Sequence, residues 1–471
     1  MQIKANDFVQ SATIAIHDIT LQTALDRGTG RGVNGRIAGM AEANHAAALR
    51  EQARASRLRA LHDMPDLLEQ FEQKFTERGG TVLYAEDAQA CNELVIEIAR
   101  QHGVHKIVKG KSMATEETGL NHALEDAGLE VIETDLGEFV VQIDHDTPSH
   151  IVYPIIHKTR EQVSALFVEK LGIEPTTDPG ALTKAARAYM RDHFLSADMG
   201  ITGGNFAIAE TGTIAIVTNE GNGRMCSSLP RVHVAVVGIE KVIENVDDFG
   251  TLVQLLTRSA TGQRLTAYVH MMSGPAHVED EDGPEQMYVI FLDNGRSRIR
   301  ETEYAEALAC IRCGACLNTC PVYQNVGGHS YGWVYPGPIG AVITPLMVGI
   351  HNAAPLPHAS SLCGACKTAC PVDIDIPAML LRLRADLVDE GDTPAVITGA
   401  IKGWRVAMSN QALYEASGKA ASIASRAIAE DGQLHNLPGM LGNWTKNRDF
   451  PAFAPKSFHE LWRERKLNGK R

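Results

Sequence analysis

No window of this sequence approaches the roughly 18 to 20 uninterrupted apolar residues that a membrane-crossing helix needs. The most apolar stretch, "PIGAVITPLMVGI" at 338–350, is short and is broken by Pro345. At the start, "MQIKANDFVQSATIAIHD" has no basic region leading into an apolar core and a small-residue cleavage site, so no secretory signal is expected. Positive charge is also in short supply. The 44 basic side chains stand against 57 acidic ones, a net charge of -13, which argues against a general nucleic-acid or anionic-membrane binder. Cysteine is nearly absent outside one region: seven of the nine lie between 310 and 370 at metal-ligand spacing. In a large chain without an export signal, that distribution excludes a disulfide framework. The other two, Cys91 and Cys226, are isolated and read as buried or inert thiols. The expectation is a cytoplasmic protein, with any membrane association peripheral at the inner membrane.

What is present is enough for more than one core. With 471 residues, 44% of them hydrophobic, two or three domains are expected, since single cores stop growing near 250 to 300 residues. From Arg36 to about Arg78, apolar residues recur every three or four positions among good helix formers, predicting one or two long amphipathic helices. Strand-like and helical runs then alternate: "TVLYAED" (81–87), "HKIVKGKS" and "EVIETD" (130–135) are separated by helical segments. That rhythm predicts right-handed parallel crossovers in an α/β sheet. Further strands are expected at 206–219, 232–239, 265–272 and 287–293, with helices near 158–172, 178–196 and 250–259. The domain reading is a helical segment over 1–80, an α/β domain over 81–298 and a cysteine-rich domain over 299–393. Residues 394–471 are read as an Ala-rich helical region followed by an extended tail.

The motif "CIRCGACLNTCPVY" places Cys310, Cys313, Cys316 and Cys320 at the C-x2-C-x2-C-x3-C-P spacing of bacterial two-cluster ferredoxins. A short loop of this kind sets three sulfurs on three irons of a cube and leaves the fourth out of reach. In the two-cluster arrangement, the fourth cysteine of each motif therefore ligates the other cluster. The second copy, "SSLCGACKTACPVD", has Cys363, Cys366 and Cys370, but Ser360 stands where its first cysteine belongs. Crossed ligation assigns Cys310, Cys313, Cys316 and Cys370 to cluster 1, and Cys320, Cys363 and Cys366 to cluster 2. Zinc is the alternative for C-x2-C pairs, but three cysteines in succession followed by x3 and proline is not a zinc layout. Cluster 2 is left with three readings: a 4Fe-4S cube with a non-cysteine fourth ligand, a 3Fe-4S cluster, or no stable cluster. Ser360 is the first candidate for the open position, then Ser361, His358 and Asp373. Two clusters in one module imply an electron relay.

With these residues in hand, the chain resembles the lactate utilisation protein B family essentially end to end. The resemblance covers the seven-cysteine pattern with its missing member and "NVGGHSYGWVYPGPIG" between the motifs. It also covers "VKGKSMATEETGLNHALEDAGLEVIETDLGEFVVQI", "GITGGNFAIAETGTIAIVTNEGNGRM" and the ending "PAFAPKSFHELWRERK". It implies an N-terminal lactate-utilisation (LUD) domain, with a sheet similar to those of sugar-phosphate isomerases and CoA transferases, and an α-helical ferredoxin-like domain carrying two clusters. The function implied is an electron-transfer subunit of a complex oxidising L-lactate or a close 2-hydroxy acid to pyruvate, not an enzyme acting alone. Its implied partners are a cysteine-rich subunit of the hydroxyacid-oxidising type, a smaller LUD-domain protein and a downstream electron acceptor. The alternative is an isomerase- or transferase-type enzyme, or a small-molecule sensor, whose clusters are structural or redox-sensing.

Other positions have two readings each. Glu210, in "NFAIAETGTIAI" behind Gly203 and Gly204, is named as a nucleophile candidate because a glutamate has that role in the similar CoA-transferase fold, against the plainer reading of a solvated turn residue. Ser112 or Thr115 in "GKSMATEETG" can cap a helix or hold an anion at its N-terminus, and capping is the commoner use. Tyr331, Trp333 and Tyr335 are read as packing around the clusters. His329 is read either as a group near a cluster or an interface, or as ordinary packing.

Overall fold

The structure, a computed structural model, describes residues 3–392 and 395–468. It divides into two compact units, Met1–Glu390 and Gly391–Arg471. The expected domain boundary between Thr393 and Pro394 lies outside the described residues.

Ten strands organise the first unit: β1 (Thr81–Ala85), β2 (Lys106–Lys109), β3 (Glu130–Glu133), β4 (Met199–Thr202), β5 (Phe206–Ile208), β6 (Thr213–Thr218), β7 (Val232–Gly238), β8 (Val242–Ile243), β9 (Tyr268–Met272) and β10 (Gln286–Leu292). Six of them form an all-parallel sheet in the order β1-β10-β7-β4-β2-β3. Parallel strands are covered on both faces and so read as apolar runs. Every residue of β7 is buried, and its one polar member, His233, bonds Thr202 Oγ1 at 2.9 Å. The chain moves outward from β2 to β3, then returns past β2 to β4. That reversal makes a switch point between β2 and β4, where the carboxyl ends of an α/β sheet leave a crevice. A smaller sheet, β8-β5-β6-β9, stands behind it. The β-rich stretch expected at 206–219, with Glu210 at a turn, is a hairpin, turning at Ala209–Thr211 and Gly212.

The N-terminal segment, expected as helical over 1–80 with clear periodicity only from Arg36, carries helices at Phe8–Ala15, Ile19–Ala41, Ala46–His62 and Met64–Thr76, where Pro65 stops any continuation from the preceding helix. The periodicity of Ile19–Ala41 was not legible because five glycines lower its helix propensity. Their use is close approach: a Cβ at Gly32 would fall 2.4 Å from Asn318 Nδ2 in the cysteine region, and one at Gly39 would fall 2.6 Å from the Gly262 carbonyl. The cysteine region packs against these helices and the α/β core in one hydrophobic cluster that includes Leu25, Leu49, Phe249, Ile311, Tyr323, Tyr331 and Leu380.

Buried charge ties the three parts together. Arg296 donates to both carboxylate oxygens of Glu117 at 2.8 Å and to Glu240 at 2.6 Å. Tyr335, from between the cysteine motifs, donates to Glu117 at 2.8 Å. Arg57, on the Ala46–His62 helix, donates to the carbonyls of Val242, Glu240, Ala309 and Leu308.

In the second unit, helices Ala395–Ser409 and Gln411–Ala427 pack on one another, as the Ala-rich composition predicts. The tail departs from the extended reading: it carries a short antiparallel pair, Gln433–Leu434 with Phe450–Pro451, and ends in a helix, Phe458–Asn468. A reciprocal cap starts that helix, with Ser457 N–H donating to Glu460 Oε2 at 2.9 Å and Glu460 N–H to Ser457 Oγ at 3.3 Å. The S-x-x-E spacing was the available signal.

Removing one member of a buried ion network strands its partners without solvent. Arg296→Ala leaves Glu117 without its cation and Glu240 with only the longer contacts to Arg312 and Lys241, and is expected to cost about 3–5 kcal/mol, read as a lower urea midpoint for the first unit. A midpoint within error of wild type would show that the network carries no stability.

Candidate iron-sulfur centre and adjoining cavity

The two cysteine motifs fold as near copies. Arg312 and Leu362 both take positive φ, 59° and 56°, and are followed two residues later by Gly314 and Gly364 at 72° and 81°. The glycines suit a left-handed turn that a side chain rarely adopts. At Gly314 a Cβ would also fall 2.9 Å from His150 Cε1. In the first copy the Arg312 amide donates to Cys310 Sγ at 3.4 Å; in the second the Leu362 amide donates to Ser360 Oγ at 3.1 Å. Ser360 therefore occupies in the second copy the place that Cys310 holds in the first. His358 has a lowered pKa, from burial and then the charge of Arg384.

Cys310, Cys313, Cys316 and Cys370 line one small cavity, closed by Ile151, Ile311, Ile339 and Ile374. Cys370 comes to it from the second motif, while Cys320 lies within electrostatic reach of Cys363 and Cys366. Burial pushes the thiols of Cys313 and Cys316 well above the usual range, that of Cys366 up to about 12 and that of Cys370 up to about 11. Cys363 is exposed, and backbone hydrogen bonding from Ala365 lowers its pKa.

These residues fit an iron-sulfur group. Protonated thiols crowded in an apolar pocket gain nothing from one another, whereas iron takes them as thiolates. The Tyr331 hydroxyl is buried without a hydrogen-bond partner, within electrostatic reach of Cys320, Cys316 and Cys366, so an acceptor belongs there. Around Cys310, the cations Arg57, Arg312 and Lys241 outnumber the carboxylates set against them, and Glu240 serves Arg296 as well. An anionic group offsets that surplus. Burial works against the Glu240 carboxylate, yet Arg296, Lys241 and Arg312 hold it down at about 2.

The arginines that hold the motifs escaped sequence reading. Arg36 donates to the carbonyls of Ala369 and Thr368, Arg50 to that of Cys370, and Arg54 to that of Asp373. Arg50, Arg54 and Arg57 recur at i, i+4 and i+7, so one helix face carries all three. His150 was also missed. Its Nδ1 accepts from the amides of Val152 and Tyr153 and its Nε2 donates to Asn318 Oδ1, which keeps the ring neutral; burial lowers its pKa to about 3.

Other candidates lie apart from the cysteines. Ser112 Oγ accepts from the Thr115 amide at 3.4 Å, an ordinary cap. His329 Nε2 donates to the Thr147 carbonyl at 2.7 Å, beside His157 and Asp146, and so ties the inter-motif loop to the α/β domain. Trp333 and Tyr335 pack edge to face. Glu210 is exposed and accepts from the Val246 amide at 3.1 Å. Cys91 and Cys226 are buried thiols pushed up to about 12 by desolvation, matching the inert reading.

A second, larger cavity of about 410 Å³ opens at the β2/β4 switch point. Gly110, Gly203 and Gly238 form its strand-end wall, and Arg312 and Tyr335 of the cysteine region close it. Glu210 is not among its lining residues.

An α/β domain closed over a ferredoxin-like cysteine module defines an iron-sulfur protein with a LUD domain. Residues 68–292 match the LUD domain family, 306–374 the 4Fe-4S dicluster domain, and 387–467 "Lactate utilisation protein B, C-terminal". Proteins named lactate utilization protein B align along nearly the whole chain. That of Bacillus velezensis is 46% identical over 88% of both chains, that of Geobacillus kaustophilus 42% over 98% of this chain and 95% of its own, and that of Bacillus cytotoxicus 41% over 100% and 99%. The chain belongs to the lactate utilisation protein B family. No helix among the described residues is long and apolar enough to cross a membrane.

Two outcomes follow from this geometry. On the two-cluster reading, Ser360→Cys supplies a thiolate where Oγ now stands, so the electron paramagnetic resonance signal or the potential of the cluster expected at Cys363 and Cys366 should change while that expected at Cys313 and Cys316 is unmoved. If neither moves, Ser360 does not face the open iron. Glu220 lines the large cavity, and burial together with the charge of Asp135 raises its pKa from 4.5 to about 7. The folded state thus holds a proton that the unfolded state releases, so its contribution is present below pH 4.5 and is lost as pH rises through 7. Glu220→Gln should gain on the order of 1 kcal/mol relative to wild type at pH 8 and nothing at pH 4.5, read from denaturation at the two pH values.

Proposed function

We propose that the chain is the electron-transfer subunit of a multi-protein complex that oxidises L-lactate, or a close 2-hydroxy acid, to pyruvate. The observation that carries this reading is the unequal exposure of the two cysteine groups. One is closed beneath the α/β domain beside the large cavity; the other reaches the surface at Cys363. A relay needs an interior station and a port, and this arrangement offers both. The crossed assignment, with Cys370 in cluster 1 and Cys320 in cluster 2, is supported by the shared cavity of the first four cysteines.

When bound, such clusters accept and release electrons singly, whereas lactate yields two electrons and two protons on becoming pyruvate. The chain's own residues supply the setting. Isoleucines exclude water from the first group, Arg36 and Arg50 fix the backbone around Cys370, and the Arg312 amide holds Cys310 Sγ. The partners in this reading are a cysteine-rich subunit of the hydroxyacid-oxidising type, a smaller LUD-domain protein and an electron acceptor. The names of the relatives support lactate as the fuel. The sheet is read as the isomerase and CoA-transferase type, on its parallel order and its switch-point cavity. Glu210 lies outside the lining of that cavity, and its carboxylate accepts from the Val246 amide at the start of the Val246–Ala260 helix.

Anaerobically purified protein should show L-lactate reducing its iron-sulfur signals only when the two partner subunits are added. Turnover of lactate by the isolated chain, or unreduced clusters in the full mixture, would overturn the relay.

A further inference from the structure

The large cavity has a role that electron relay does not use. Its volume of about 410 Å³ falls within the roughly 300–1,000 Å³ of small-molecule sites. It stands where an α/β sheet ordinarily takes a ligand, at the carboxyl ends of β2, β4 and β7. Gly203 lets the backbone come close: a Cβ there would fall 2.8 Å from Ser112 Oγ.

Three lining side chains hold buried polar atoms without a hydrogen-bond partner: Lys111 Nζ, Asn222 Oδ1 and Arg312 Nη1. Asn222 and Arg312 are only 7% and 9% exposed. The carboxylate paired with Lys111, Glu138, stands 3.9 Å away, beyond hydrogen-bond reach. Burying such groups unpaired is costly, and each in a native structure calls for an explanation. The acidic lining is already engaged: Asp135 caps the Leu136–Ile143 helix, Glu220 accepts from the Leu136 amide, and Glu240 holds Arg296 while standing 3.6 Å from Arg312 Nη2, beyond hydrogen-bond reach. What remains is two cationic donors and one acceptor. The backbones beside Lys111 and Asn222 run close, since a Cβ on Gly110 would lie 4.0 Å from Gly223 Cα. A matching ligand has oxyanion character for the cations and a hydroxyl to donate to Asn222.

We propose that this cavity binds a hydroxylated small-molecule oxyanion, held by Lys111 and Arg312 with its hydroxyl on Asn222, and that the cysteine loop senses its presence. Arg312 makes the link. Its guanidinium lines the cavity while its amide donates to Cys310 Sγ at 3.4 Å, so an anion against it adds negative charge beside the first cluster. Reduction of that cluster becomes harder. This coupling rests on the iron-sulfur reading, whereas binding does not.

The test is anaerobic titration calorimetry of the full chain with two probes in separate arms, L-lactate as the hydroxycarboxylate and ribose 5-phosphate as the hydroxylated phosphate. Saturable binding of one is expected, and the arm that binds assigns carboxylate or phosphate. Lys111→Met and Asn222→Ala, each with wild-type iron content and melting temperature, should weaken it at least tenfold. Ligand should move the potential of the first cluster to a more negative value. If Lys111→Met fails to fold, Asn222→Ala carries the same readout. No binding of either probe at millimolar concentration, or undiminished binding in the folded variants, would overturn the proposal. A chain that purifies anaerobically without iron would sink the relay and the coupling, and binding retained in it would leave the cavity's role standing.

Discussion

The buried ion network around Arg296 is the constraint on which the rest of this structure depends. Arginine suits it because a planar fork can serve two carboxylates at once, here Glu117 and Glu240. Those two acids come from different stretches of the α/β domain, and Tyr335 from the cysteine region completes the ring. Arg57 then fastens the N-terminal helices to the backbone on both sides, at Glu240 and Val242 and at Leu308 and Ala309. Because each charged group is stranded if its partner leaves, the three segments hold one arrangement instead of sliding as separate domains. The cavity and the first cysteine group both lie against this network, which fixes their distance and orientation.

The surplus of positive charge next to Cys310 gives the network a second consequence. Thiolates in a closed apolar pocket need compensation, and Arg57, Arg312 and Lys241 provide it without being ligands. The second motif repeats the backbone of the first, down to the positive φ of Leu362 and Gly364, but Cys363 is exposed. One loop shape therefore serves two environments, one dry and one open to solvent.

Much of this was legible in sequence. Five strands of the parallel sheet fall where apolar β-rich runs alternate with helical ones, whereas β4, four residues directly after a long helix, was not read; the inert reading of Cys91 and Cys226 agrees with their burial. The periodicity of the Ile19–Ala41 helix was not legible, because its glycines serve contacts with Asn318 and Gly262 that no local pattern encodes. The tail helix was missed although its Ser457–Glu460 cap is a local signal, since the segment before it is rich in proline and aromatics. Glu210 carried two readings in the sequence, and only the fold brings the Val246 amide beside its carboxylate.

The sequence by itself determined the chemistry of the cysteines, because ligand spacing within a loop is a property of a few bonded residues. It determined the α/β class too, because hydrophobic periodicity is local. Only the tertiary structure decided which cysteines share a pocket, since Cys370 reaches Cys310 across sixty residues of chain. It alone placed Arg312 and Lys111 on one cavity and Arg57 beneath both domains. Those relations are set by packing between distant segments, where burial and charge pairing outweigh any preference a short stretch expresses alone.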